Sequence, residues 1–234
     1  MHGQIDHLDR AFTYEKDSGV TPNESTADQS SAESRPASGL LFVMSGPSGV
    51  GKDAILAGLR EKGIPLGKVL TATTRDPRPG ETPGVDYAFP TVAEFEQMIH
   101  SDSLAEWATY SGDYYGTPIP HLRKTLAEGN DAVLKIEVDG FRQVKARYPQ
   151  VISIFLLPSS LDALEKQLRG RPDGTAEAKI QQRLERGMRE IDASREYEYQ
   201  VVNRHGDLTG AIDEVATIIA SQRESSPLRT VTVR

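Results

Sequence analysis

The sequence has no cysteine among its 234 residues. This absence excludes disulfide bonds, thiolate nucleophiles and cysteine-based zinc sites. Long apolar runs are also missing: the strongest run, residues 151–157, stops at Pro158, whereas a membrane-spanning helix needs about 20 apolar residues. The first residues contain no apolar stretch of the kind found in a secretory signal. We therefore expect a cytoplasmic protein without a membrane partner.

An excess of basic residues is missing as well. Lysine and arginine number 27 against 34 aspartates and glutamates, and the formal net charge is −7 at pH 7. Nucleic-acid-binding proteins usually carry a basic excess, so we expect no nucleic acid partner. A local cluster of basic side chains can still bind a small phosphorylated ligand within an acidic chain.

Composition divides the chain into three parts. Residues 1–38 are rich in serine, threonine, glutamate and proline and poor in large apolar residues, which predicts a disordered extension. Residues 39–222 alternate short apolar runs, among them 69–74 and 132–138, with amphipathic helical patterns. That alternation predicts an α/β fold with a parallel central sheet covered by helices on both faces. Residues 223–234 are predicted to form an irregular tail.

A glycine-rich turn joins the first apolar run, residues 40–45, to a helical pattern that begins at about Lys52. Its sequence, GPSGVGK, matches the GxxxxGK phosphate-binding loop and stands in the strand–turn–helix context which that motif requires. Glycines let successive backbone N–H groups point at one oxyanion, the helix amino terminus adds positive potential, and Lys52 supplies a point charge. The residues expected to bind nucleotide phosphates are Gly46, Pro47, Ser48, Gly49, Val50, Gly51, Lys52 and Asp53.

Asp53 departs from that motif, which has Ser or Thr after the lysine. The usual hydroxyl helps to hold Mg²⁺, and a carboxylate is also a hard oxygen ligand, so Asp53 is a candidate metal ligand. The alternative is that its negative charge only stabilises the helix amino terminus. The sequence leaves both interpretations open.

A second segment, residues 71–89, combines two arginines with prolines and glycines that restrict the chain. Arg75 and Arg78 suit a phosphate because the planar guanidinium group recognises it through paired hydrogen bonds. Tyr87 and Tyr115 offer hydroxyl donors without adding charge. This composition predicts a binding site for a monophosphate, and the alternative is a solvated basic loop.

From Gly39 to about Gln222 the chain resembles the guanylate kinases. The matching motifs are GPSGVGK, TTRDPRPGE followed by GVDYAF, EWATYSGDYYGTP, and an arginine-rich helix followed by VVN. The resemblance implies a three-layer P-loop kinase fold with an inserted GMP-binding subdomain at about residues 71–120 and a helical lid at about 169–186. It also implies phosphoryl transfer from ATP to GMP, and to dGMP, with Mg²⁺ accompanying the ATP.

For the GMP site, the resemblance implies phosphate contacts from Arg75, Arg78, Tyr87 and Tyr115, and guanine contacts from Glu106, Thr117 and Thr71. The chemistry agrees, because a carboxylate accepts hydrogen bonds from the guanine N1–H and 2-amino groups and a hydroxyl donates to O6. Adenine lacks both donors, so it would leave a buried carboxylate unpaired. Glu137 is expected to bind the acceptor nucleotide, or a metal through water.

For the ATP site, the resemblance implies lid arginines at Arg171 and Arg183 and an adenine contact from Asn203. The implied catalytic set, which aligns the phosphates and neutralises their charge, is Lys52, Arg75, Arg171 and Arg183. Arg186 is instead expected on a solvated helix face with Glu190 as a partner. The family often has an acidic residue where this chain has Lys135.

Two other functions stay open at this point. Ribose bisphosphate kinases of phosphonate metabolism resemble guanylate kinases and can carry aspartate after the P-loop lysine, as this chain does at Asp53, but they need no guanine-binding residues. Non-catalytic guanylate-kinase-like interaction modules share the fold but typically lose phosphate-binding residues, and this chain keeps Lys52.

Overall fold

The structure of the protein, a computed structural model, describes residues 39–110, 112–170, 177–204, 206–225 and Val233, except for the side chain of Lys179. In chain order the elements are β1 (Leu41–Ser45), α1 (Lys52–Glu61), β2 (Leu66–Gly67), β3 (Ala72–Thr73), α2 (Val92–His100), β4 (Leu104–Tyr110), β5 (Asp113–Pro118), α3 (Ile119–Ala127), β6 (Asp131–Lys135), α4 (Val138–Arg147), β7 (Ile152–Pro158), α5 (Leu161–Arg169), α6 (Glu177–Asp192), a 3₁₀ turn (Ala193–Glu196), β8 (Tyr199–Asn203) and α7 (Leu208–Glu224). Within this described part, none of the helices is both long and apolar enough to cross a membrane.

Five parallel strands form the central sheet, in the order β2-β6-β1-β7-β8. The central strand β1 is buried on both faces. Leu41 and Val43 belong to a core with residues of α3 and α4, whereas Phe42 and Met44 belong to a core with residues of α1 and α7. Each side chain buried in this way stabilises the fold by about 2 kcal/mol. The predicted α/β fold with a parallel central sheet is thereby confirmed.

A smaller antiparallel sheet, in the order β3-β5-β4, is formed by the segment between β2 and α3. Helix α2 begins at a capping box, in which the Thr91 hydroxyl accepts from the Glu94 backbone N–H and the Glu94 carboxylate accepts from the Thr91 backbone N–H. The fully buried ring of Phe95 then packs α2 against this sheet. The register of the β4–β5 hairpin sets Glu106 opposite Thr117.

Two predicted strands have different boundaries in the structure. Residues 69–74 do not form one strand, because β2 pairs with β6 and the chain then leaves the central sheet, so that β3 pairs with β5. The run at 132–138 stops being a strand at Lys135, and Glu137 occupies the N-cap position of α4 without a side-chain capping bond. The apolar pattern did not mark this change because Val138 is buried in the helix as it would be in a strand. Lys135 and Glu137 thus lie at the carboxyl end of the sheet, next to the end of β1.

Candidate active site

The glycine-rich loop between β1 and α1 folds around the side chain of Lys52. Gly46, Gly49 and Gly51 have φ angles of 146°, 94° and 100°, which side chains larger than hydrogen rarely allow. The Lys52 ammonium group donates hydrogen bonds to the carbonyl oxygens of Gly46 at 2.5 Å and Pro47 at 3.1 Å. The glycine-rich turn therefore lies in the predicted strand–turn–helix context, and its binding of phosphate stays a prediction.

Lys52 is a buried cation. Burial lowers the pKa of its ammonium group to about 8, against the opposing effect of the Glu190 carboxylate, and the charge of Lys135 adds to the lowering. The group is still mostly protonated at pH 7, and an anion beside it would raise its pKa again. The loop therefore presents a desolvated positive charge that favours a phosphate ligand.

A cavity of about 220 Å³ lies between this loop and α6, and we name it the junction cavity. The charged residues that line it are Lys52, Lys135, Glu137, Arg183, Arg186 and Glu190. Four cations thus face two carboxylates, and the cavity has a net positive charge. Such a space suits a ligand with several negative charges.

Arg183 and Arg186 both line the junction cavity, from α6. The Nη1 group of Arg183 is buried and finds no hydrogen-bond partner among the described residues, which leaves a donor free for a ligand. Arg186 pairs with Glu137 and with Glu190 at 2.9 Å, and its guanidinium group lies 5.3 Å from the centre of the Tyr110 ring. The expected Glu190 partner is confirmed, and the Arg186 side chain is 40% exposed. It also lines the cavity, because residues three apart on a helix share a face and Arg186 lies beside Arg183.

Asp53 is paired with a lysine rather than left free for a metal. Its Oδ1 atom lies 2.5 Å from the ammonium group of Lys135, which is the last residue of β6. Across the described ranges, no group of three or more His, Cys, Asp or Glu side chains is placed to hold a metal ion. These donors fit a metal that arrives already bound to nucleotide phosphates better than one held by the protein alone.

A larger cleft of about 640 Å³ is lined by residues of both sheets, and we name it the large cleft. Six of the predicted GMP ligands line it: Thr71, Tyr87, Glu106, Tyr115, Thr117 and Glu137. Tyr110, Lys135, Ile136 and Glu137 line both the large cleft and the junction cavity. The two spaces therefore adjoin, and ligands bound in them would meet at this shared wall.

Arg75 is fixed beside the large cleft by Glu81, a residue that the sequence analysis did not single out. Two hydrogen bonds of 2.7 Å join the guanidinium group to the Glu81 carboxylate, which lines the cleft. These bonds lower the pKa of Glu81 to about 2 and raise the pKa of Arg75. The guanidinium group also lies 5.0 Å from the centre of the Tyr87 ring, and its buried Nε has no partner among the described residues. Arg78 differs: it is exposed, and only its backbone N–H bonds to Glu81.

Glu106 is a buried carboxylate, with 5% of its surface exposed. The hydroxyl of Thr117 donates to Glu106 Oε1 at 2.6 Å. The other oxygen faces the start of α4, where a Cβ on Gly140 would lie only 2.7 Å from it, so a larger residue there would displace the carboxylate. Burial raises the pKa of Glu106 to about 7, although the Thr117 hydrogen bond acts in the opposite direction. A ligand that donates hydrogen bonds to this carboxylate would therefore favour its ionised form.

Of two further residues predicted to contact ATP, the structure describes Asn203 but not Arg171. The buried side chain of Asn203 donates to the Val50 carbonyl at 2.8 Å and lies against Gly51, so it supports the phosphate-binding loop. Its contact with adenine stays a prediction. Arg171 lies outside the described residues.

The chain is similar to known proteins in sequence and in fold. A family model described as "Guanylate kinase" matches residues 38–222. The guanylate kinase of Synechococcus sp. (strain JA-3-3Ab) is 41% identical over 202 residues, which cover 86% of this chain and 92% of that protein. The guanylate kinase of Thermosynechococcus vestitus is 45% identical over 186 residues, which cover 80% and 96%. A crystal structure of guanylate kinase from Anaplasma phagocytophilum superposes with a TM-score of 0.63 and 26% identity, covering 82% of this chain and 89% of that one.

Replacing Glu106 with glutamine should remove a pH-dependent loss of stability. The folded-state pKa of about 7 exceeds the unfolded value of 4.5, so the folded wild type binds more protons between these values and its free energy of unfolding falls as pH rises through them. E106Q keeps an acceptor for Thr117 without the charge. Relative to the wild type, we expect it to gain about 2–3 kcal/mol between pH 5 and pH 8, measured by urea denaturation.

Glu94 provides the matched control for that measurement. Hydrogen bonds from Thr91 lower the pKa of Glu94, so this carboxylate is ionised in the folded state throughout the range and largely ionised in the unfolded state. The difference between E94Q and the wild type should therefore stay constant from pH 5 to pH 8. If E106Q also ran parallel to the wild type, Glu106 would not be the desolvated carboxylate described above.

Proposed function

The chain belongs to the guanylate kinase family, and we propose that its two adjoining cavities bind the two substrates of an ATP:GMP phosphotransferase. The junction cavity takes the ATP phosphates, and the large cleft takes GMP, with dGMP as a further acceptor. The observation that supports this assignment is the shared wall of Tyr110, Lys135, Ile136 and Glu137, because ligands bound in adjoining cavities would meet there.

In the large cleft, the GMP phosphate lies between the arginines and the tyrosines. Arg75, held by Glu81, and Arg78 supply charge, while Tyr87 and Tyr115 supply hydroxyl donors. Glu81 already occupies two donors of Arg75, so the phosphate takes the remaining donors or displaces this carboxylate. Arg78, exposed in this structure, turns toward the phosphate when GMP is bound.

Glu106 recognises the guanine base. Its carboxylate accepts the N1–H and 2-amino groups, and Thr117 and Thr71, which line the same cleft, offer hydroxyls to the base. Adenine would bury this carboxylate against an acceptor nitrogen and leave it unpaired, at a cost of about 1–3 kcal/mol in binding. Glu137 is placed at the shared wall, where it orients Arg186.

The transfer needs alignment and charge neutralisation more than covalent help from the protein. A GMP phosphate oxygen attacks the γ-phosphorus of ATP in line, the new P–O bond forms, and the bond to the β–γ bridging oxygen breaks to release ADP. Lys52, Arg75 and Arg183 neutralise the developing charge, together with Arg171 of the proposed lid at about residues 169–186. The GMP oxygen is already a nucleophile, so no general base takes part.

Mg²⁺ is proposed to arrive with ATP as part of the substrate. When bound, it draws charge from the β- and γ-phosphates. Asp53 is the carboxylate nearest in sequence to the loop lysine, and it would hold the ion directly or through water only after sharing its oxygens with Lys135. Lys52 contacts phosphate, whereas the first partner of Asp53 is the ammonium group of Lys135.

A coupled assay of ADP release tests this function. With ATP as donor, the acceptors to compare are GMP, dGMP, AMP, UMP and ribose 1,5-bisphosphate, and we expect turnover with GMP and dGMP only. Turnover of the sugar phosphate without GMP would instead indicate a sugar-phosphate kinase. A folded protein that turned over none of the five would fit a non-catalytic interaction module.

Binding of GMP should release protons near neutral pH. The guanine donors favour the ionised carboxylate, whereas Glu106 in the free protein has a pKa of about 7, so affinity for GMP should fall as pH falls below 7. Titration calorimetry in buffers of different ionisation enthalpy measures this release. E106Q should lose the proton release that comes from Glu106. It should also bind GMP about 10- to 100-fold more weakly, with its affinity for ATP unchanged within twofold. Equal weakening of both nucleotides would contradict the role of Glu106.

A further inference from the structure

Lys135 belongs to the wall that the two cavities share. It is the last residue of β6, where the register pairs it with Met44 of β1, one residue before the strand end that leads into the phosphate-binding loop. In an open parallel sheet, side chains at the carboxyl ends of neighbouring strands face the ligand. Lys135 accordingly lines both the junction cavity and the large cleft.

The partner of Lys135 is Asp53, and their ion pair contributes little to folding. The Asp53 side chain is 83% exposed and the Lys135 side chain 39% exposed, although the two charged atoms lie 2.5 Å apart. Water screens a pair this exposed, so its contribution to stability is small. The consequence of the pair is positional: it holds the Lys135 ammonium group beside the first turn of α1, near the loop that binds phosphate.

The carboxylates that line the junction cavity are not paired with Lys135, whose partner Asp53 lies outside that lining. Arg186 already satisfies both carboxylates of the cavity, Glu137 and Glu190. Lys135 is close enough to Lys52 to contribute to the lowering of its pKa, which shows two ammonium groups sharing one space. Two cations that line one cavity, of which Lys135 is paired only with an exposed carboxylate, favour an anion between them.

We propose that Lys135 binds phosphate oxygens where the two nucleotides meet, with Asp53 as its positioning residue. The inference rests on the proposed function and deepens it. Lysine supplies a point charge with rotatable donors, so it can turn from the carboxylate to a more highly charged phosphate without moving its strand. The protein thus places a cation beside the transferred phosphoryl group. An acidic side chain at this position would add negative charge, which a further cation would have to neutralise.

The test compares K135M, K135R and D53N with the wild type. K135M removes the charge and keeps an apolar stem, and we expect kcat with ATP and GMP to fall by about 10- to 100-fold, as for loss of other preorganised charge at a transition state. KM for GMP should change by less than about threefold, because the contacts to the guanine base and the contact from Arg75 to the phosphate remain. K135R should recover most of the rate. D53N should lower kcat by about 3- to 10-fold without lowering Tm, because the ammonium group is present but unpositioned.

Lys62 offers a matched control. It forms a lysine–aspartate pair with Asp213 at 2.7 Å, with side chains 43% and 57% exposed, and it lines neither cavity. K62M removes the same chemical group from a lysine of similar exposure, 43% against 39%, so its kcat should equal that of the wild type.

Three outcomes would overturn the proposal: a kcat for K135M within twofold of the wild type, an equal loss of kcat in K62M, or no recovery in K135R. If K135M did not fold, judged by circular dichroism, K135Q would have to show the same loss of kcat, and its failure to do so would also overturn the proposal. A wild type that is inactive with ATP and GMP would refute the proposed function itself. An active wild type with an active K135M would refute only the role of Lys135.

Discussion

The desolvated ammonium group of Lys52 favours an anion, and further cations surround it in the junction cavity. Two phosphate groups repel each other strongly when water is excluded, so they can meet only where protein cations outnumber carboxylates. The junction cavity meets this condition, since four cations line it against two carboxylates, and both carboxylates are paired with Arg186. The fold supplies the position, because the carboxyl ends of β1 and β6 lie side by side.

Local sequence predicted the parts of the site that local geometry builds. The loop around Lys52 follows from three glycines at fixed spacing, which take up backbone angles unsuited to other residues. Glu106 and Thr117 were predicted to act together, and the β4–β5 hairpin does place them opposite each other. The burial that raises the pKa of Glu106 was not predictable, because the helix α4 that closes over it begins more than thirty residues later.

The contacts that the sequence did not predict join distant segments. Asp53 and Lys135 are 82 residues apart, and each departs from the usual pattern when considered alone; only the order of strands in the sheet reveals that they are partners. Glu137 and Arg186 are 49 residues apart and meet because α6 faces the end of β6. Glu81 was missed for a different reason, since a carboxylate in a phosphate-binding segment suggests repulsion until its bond to Arg75 is seen.

The central claim is that two nucleotides bind with their phosphate ends meeting at Lys52 and Lys135. It is tested most directly by the affinity of a single molecule in which adenosine and guanosine are joined 5′ to 5′ through five phosphates. The account predicts that this compound competes with both ATP and GMP and binds at least about 100-fold more tightly than either, since one binding event fills both cavities. A compound that competed with only one nucleotide, or bound no more tightly than ATP, would show that the two cavities do not meet as described.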